Sequence, residues 1–143
     1  MRSAMALAAS LAGLALIAGG LTGCLESGTG SSSGSVPPAS ASSEQVAKAY
    51  LDAARSGDCA LTKQLTGAST WAWCDEPRLT GYKDLGTVTK LPASQAGVNL
   101  DCYHLTITAT AAPKRGITAG TRPWTLCFEH TDQGYRLYEQ GMR

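Results

Sequence analysis

A chain of 143 residues with 16% charged side chains and a net charge of +1 has room for one domain plus appendages. Its charges form no run or stripe, so the electrostatic footprint of a nucleic-acid binder is missing and no nucleic-acid partner is expected. Its five cysteines cannot all pair with one another, so one of them needs another use.

The chain begins with an apolar stretch. Arg2 is the only charged side chain before Glu26, and the residues between are rich in Ala, Leu and Gly. A positive start, an apolar core and small residues at the exit describe a secretory signal peptide over residues 1–23. A retained membrane span would end in Trp, Tyr, Lys or Arg anchors. This one ends in Leu21-Thr22-Gly23-Cys24. That tetrapeptide resembles the lipobox of bacterial lipoproteins: an aliphatic residue, two small residues and a Cys. The resemblance implies cleavage before Cys24, a diacylglyceryl group on its sulfur, and a membrane partner reached through the lipid anchor. Two or more acyl chains, palmitate among them, anchor stably where one alone is marginal. The expected location is the extracytoplasmic face of the cell membrane. Cys24 is then set aside from disulfide pairing.

Residues 24–43 continue as a Ser-, Gly- and Pro-rich tether in which nothing can build a core. The domain is expected over 44–143. Ser42 can cap a first helix, with Gln45 completing a capping box, and Val46, Ala49, Tyr50 and Ala53 follow the spacing of one buried face. Ser56-Gly57 ends it. Asp58 can cap a second, shorter helix with Leu61 and Leu65 inward and Gly67 as terminator.

Past "WAWCDEP" the pattern turns to strands. "TGYKDLGTVTKL" is β-rich, with Gly86 marking a bulge. "GVNLDCYHLTITATA" alternates over a long stretch, and "TRPWTLCFEH" is the next strand. "TDQG" is a hairpin turn leading into "YRLYEQGM". Folding the long hairpin near Lys114-Arg115-Gly116 sets Cys102 opposite Cys127, Tyr103 opposite Leu126 and Leu105 opposite Trp124. One face then carries Tyr103, Leu105, Ile107, Trp124, Leu126 and Phe128. The other carries Cys102, His104, Thr106, Thr125, Cys127 and Glu129. A slip of one residue would scramble both faces, so the register is well specified. Opposed Cys residues in the closer kind of antiparallel pair suit a disulfide. Cys102–Cys127 is therefore expected, which leaves Cys59–Cys74. Export to an oxidising compartment favours both. The fold class is α+β: two N-terminal helices on one face of a curved antiparallel sheet of about four strands.

"EQVAKAYLDAARSGDCALTKQLT" resembles the opening helices of the nuclear transport factor two-like superfamily, the cone-shaped fold shared with ketosteroid isomerase, and "TDQGYRLYEQG" resembles its last hairpin. Lipobox, tether and domain together resemble the small exported lipoproteins of high-GC Gram-positive bacteria. The resemblance implies a pocket between helices and concave sheet, used for catalysis in some members and for binding in many.

The pocket candidates are Tyr50, Trp71, Trp73, Asp101, Tyr103 and Trp124. An isomerase- or dehydratase-like enzyme would use Asp101 as base and Tyr103 or Tyr50 as oxyanion donor. Asp101 near a strand start can equally meet solvent, and both tyrosines can equally be core residues with hydroxyls at the rim. Trp71 and Trp73 suit a pocket mouth or interface. Alternatively, one fills the core and the other covers the helix–sheet seam. His104 and His130 are the only histidines, too few for a metal site, and no cofactor motif is present. The expected function is non-catalytic: binding of a small apolar ligand or an envelope partner protein. A purely structural accessory role is the further alternative. The polar outer sheet face suits solvent or a homodimer contact.

Overall fold

The computed structural model describes residues 34–142. The first helix, α1, spans Ser43–Ser56. Its start is locked reciprocally: Gln45 N–H donates to Ser42 Oγ at 3.2 Å and Ser42 N–H donates to Gln45 Oε1 at 2.9 Å. Both bonds satisfy amides that the helix cannot pair internally. Gly57, at φ +78°, closes the helix in the left-handed conformation. Helix α2, Cys59–Gln64, is capped by Asp58, whose Oδ1 accepts from Leu61 N–H at 3.0 Å.

Gly67 does not terminate α2, which ends at Gln64. Gly67 instead lies against the last strand. Leu137 N–H donates to Leu65 O and Gly67 N–H donates to Leu137 O, each at 2.8 Å. A Cβ on Gly67 would come within 2.9 Å of that same carbonyl oxygen, so close backbone approach is what requires glycine here. Residues 65–67 thereby cover part of an otherwise open sheet edge.

The sheet is antiparallel, with β1 Leu79–Lys83, β2 Thr89–Leu91, β3 Leu100–Ala109, β4 Gly120–Thr131 and β5 Gly134–Gly141. The order is β1-β3-β4-β5, and β2 shares with β1 the same edge of β3. The expected first strand is thus present but divided. Between Lys83 and Thr89 the edge advances six residues, whereas β3 advances four between their partners Thr106 and Cys102. The surplus two residues leave the ladder around Asp84, at φ +58°, while Gly86 N–H still donates to His104 O at 2.9 Å. The sheet has five strands but is four wide.

In the central hairpin Cys102 faces Cys127, Tyr103 faces Leu126 and Leu105 faces Trp124, as the spacing predicts. Alternation then sorts the faces. Tyr103, Leu105, Ile107, Trp124, Leu126 and Phe128 are all buried beneath α1 and α2, in one core with Val46, Tyr50, Leu51, Leu61, Leu65 and Trp73. Phe128 lies at its centre, edge-on to Tyr50 and to Tyr103, each at 6.3 Å between ring centroids. Full burial of such a side chain contributes about 1.5–3 kcal/mol.

The opposite face carries a smaller cluster of Leu100, Cys102 and Cys127, packed by Leu91, Ala96, Val98 and Tyr138. Ala96 belongs to a third, short helix, α3, Ala93–Ala96, so the helices are not confined to one side. Both disulfides form, Cys59–Cys74 and Cys102–Cys127, with Cα separations of 5.0 Å and 4.0 Å.

The packed unit also begins earlier than residue 44. Ala41 is buried in the core and Ser43 is 6% exposed. Ala39 lies so close to Gly134 that a Cβ there would stand 2.9 Å from Ala39 Cα. The end of the expected tether is therefore part of the fold.

Candidate functional site

The segment between α2 and β1 runs past the end of β5, and Gln140 is the side chain that clamps its two tryptophans there. Gln140 Oε1 accepts from Trp73 Nε1–H and Gln140 Nε2 donates to Trp71 O, both at 2.6 Å. Ser69 Oγ donates to Tyr138 O, and the Cys59–Cys74 bridge ties the far end to α2. Gln140 reaches inward because β4 and β5 shift register between Cys127 and Phe128, which brings it opposite Leu126 on the core face.

The clamp sets three indoles in a row. Trp71 and Trp73 lie 4.9 Å apart, and Trp73 and Trp124 lie 5.6 Å apart. Trp73 is 1% exposed and Trp124 is 5% exposed, whereas Trp71 is half-buried. The β3–β4 connection returns over this row. Its single 3-10 turn, Pro113–Arg115, lays the Arg115 guanidinium 4.5 Å from the Trp71 ring centre. Arg115 Nε–H also donates to Glu76 O at 3.4 Å. A cation over an indole is worth about 0.5–1 kcal/mol at an exposed site.

A cleft of about 240 Å³ opens here, lined by Trp71, Arg115, Ile117, Trp124, Gln140 and Met142 among others. The indole N–H of Trp124 is buried and has no hydrogen-bond acceptor. Leaving such a donor unsatisfied costs about 1–3 kcal/mol. A larger open cleft of about 680 Å³ adjoins it across Arg115, with Lys63, Asp75 and Glu76 in its walls. Charges of both signs line that one, and it selects for neither.

At the opposite end of the core face lies a polar cluster. Ser43 Oγ donates to Asp101 Oδ2 at 2.7 Å and stands 2.8 Å from the Tyr103 hydroxyl. The one hydroxyl hydrogen of Ser43 goes to the carboxylate, so the Tyr103 O–H is the donor of the second bond. Lys90 Nζ adds an ion pair to Asp101 Oδ1 at 3.3 Å. Partial burial by itself raises the Asp101 carboxyl, but hydrogen bonds from Ser43, Lys90 and Tyr135 outweigh it, and the net shift is downward. Burial and the Asp101 charge raise the Tyr103 phenol. Burial pushes the Tyr50 phenol up to about 12, although its oxygen accepts from Trp73 N–H at 3.5 Å.

The six pocket candidates therefore divide. Trp71 and Trp124 meet at the small cleft. Tyr50 and Trp73 are packed in the core, and Asp101 and Tyr103 bind each other through Ser43. His104 bonds Thr125 on the outer face at 2.9 Å, while His130 stacks edge-on to Tyr135 on the inner one. Among the described residues no group of three or more His, Cys, Asp or Glu could hold a metal. No helix among them is long and apolar enough to cross a membrane. Cys24, the expected lipidation site, and the signal stretch lie outside the described residues.

Sequence reasoning missed Gln140 and Arg115. Only the position of Arg115 at the hairpin centre could have drawn attention to it. Nothing local marks Gln140, whose partners lie 67 and 69 positions away. No family model matches the chain, and no curated protein or solved structure is significantly similar to it.

Proposed function

We propose that this chain is an exported lipoprotein, anchored through Cys24, whose domain binds a small ligand or an envelope partner without chemistry. The observation that carries the binding reading is the Trp71–Trp124 cleft, a partly apolar concavity whose wall is held in place by Gln140. Apolar concavities with a few placed polar groups are the usual form of ligand sites. Two disulfides are consistent with an oxidising, extracytoplasmic location, and the Leu21–Cys24 tetrapeptide supports the lipid anchor. The helix-first order and curved antiparallel sheet support the cone-fold resemblance.

Two measurements test the reading. The mature protein is expected to carry acyl chains at Cys24, read as added covalent mass that is absent in Cys24→Ala. A native protein with no acyl mass would remove the lipid-anchor reading. Native mass spectrometry of the gently purified full chain is expected to show extra non-covalent mass beyond the lipid. A spectrum with none, together with no captured envelope partner, would leave the structural-accessory role as the better description.

A further inference from the structure

We infer that the Trp71–Arg115–Trp124 cleft selects a small ring-bearing anion, of the size of a single-ring carboxylate, rather than a neutral apolar molecule. The inference rests on the binding reading above and specifies its ligand. Three observations converge. Arg115 brings a fixed positive charge to the cleft. Among the described residues it has no carboxylate partner, only the backbone oxygen of Glu76. No carboxylate lines the cleft itself. Trp124 gives the cleft ring surface, while its own indole N–H is buried. Gln140, the one other side chain there that could accept, has its oxygen committed to Trp73 and its amide nitrogen to Trp71. The charged group left over is thus the Arg115 guanidinium, a donor beside aromatic surface. A guanidinium beside indole rings matches a planar carboxylate in shape and charge. The cleft volume, about 240 Å³, is below the roughly 300–1,000 Å³ typical of drug-sized sites, so the ligand is limited to about one ring.

The adjoining larger cleft mixes acids and bases, and the Ser43–Asp101–Tyr103 cluster satisfies its own hydrogen bonds.

The test uses the full chain, ¹⁵N-labelled, with its three indole N–H signals assigned through single Trp→Phe variants. Benzoate is titrated against benzyl alcohol, which keeps the ring and removes the charge. Benzoate is expected to shift the Trp71 and Trp124 indole signals saturably, with benzyl alcohol at least about tenfold weaker, a ratio of the size a charge-assisted hydrogen bond supplies. Arg115→Gln, on an exposed turn, is expected to abolish that preference while the Trp73 signal stays in place. Equal binding of both probes at this cleft would overturn the anion selectivity and leave the binding reading intact. So would benzoate binding that Arg115→Gln does not alter. No indole shift with either probe up to about 10 mM would overturn the site itself. In that case, cargo seen by native mass spectrometry would direct the binding reading elsewhere on the domain.

Discussion

Single residues in this protein act mostly as fasteners between distant segments. Ser43 joins the start of α1 to β3 through Asp101 and Tyr103, and only 12% of the Asp101 side chain is exposed. Its carboxyl pKa is lowered in the folded state. Such a group contributes stability above its unfolded value, near pH 3.9, and that contribution is lost as pH falls through the folded value. Acid titration of stability should therefore decline below about pH 4, and Asp101→Asn should flatten that limb while lowering stability at pH 7. The tyrosines give a second reading at the alkaline end. With its pKa near 12 against about 10 unfolded, Tyr50 contributes stability that is full below pH 10 and lost as pH rises towards 12. An ultraviolet titration should show one phenol ionising near 12, and that step should vanish in Tyr50→Phe.

At the level of elements, α1 and α2 are secured by caps, and two disulfides and the Gln140 clamp tie elements to one another. The capping box of α1 should make Ser42→Ala cost about 1 kcal/mol, read from the urea midpoint. The disulfides close loops of 15 and 25 residues. In the chain-entropy account each is worth about 3 kcal/mol, and the longer loop is favoured by about 0.5 kcal/mol. Replacing both members of either pair by Ala should therefore lower unfolding free energy by a similar amount, with Cys102–Cys127 slightly ahead. If loss of Cys59–Cys74 also disordered the Trp71 and Trp73 indole signals, that bridge would be shown to support the cleft as well as the fold.

On the scale of the whole molecule, one core joins α1, α2 and the concave sheet face, and Phe128 is its hub. Phe128→Ala should cost about 3–5 kcal/mol, enough to abolish cooperative unfolding in a domain of this size. The segment before α1 is tied into the same unit. Gly134 has φ +91°, and Ala39 occupies the space a side chain would need. Gly134→Ala should therefore lower the melting temperature by several degrees, because it strains the turn and pushes residues 39–41 away from the sheet. An alanine there that left stability unchanged would mean this segment adds nothing to the fold.

The α+β class, the capped helices, the face assignment of the central hairpin and the Cys102–Cys127 bridge were legible from spacing, and Cys59–Cys74 followed by elimination once the lipobox resemblance had set Cys24 aside. Periods of 3.6 and 2, cap residues and equidistance from a turn are local properties, and the chain states them directly. So was the suggestive placing of Trp71 and Trp73 before a cysteine. Other features depend on where separate segments arrive. The division of the first strand into β1 and β2 follows from a two-residue surplus that shows only against β3. The burial of Ala41 requires the finished sheet. By sequence pattern Tyr50, Trp73, Asp101 and Tyr103 resemble Trp71 and Trp124, since all are large or polar and fall near the core. Packing separated them, since rings that meet edge to edge fill the space a pocket would need. Gln140 and Arg115 entered the site only through contacts spanning 39 to 69 positions. Local pattern records which face a residue takes, whereas the meeting of side chains across a site is a property of the folded chain.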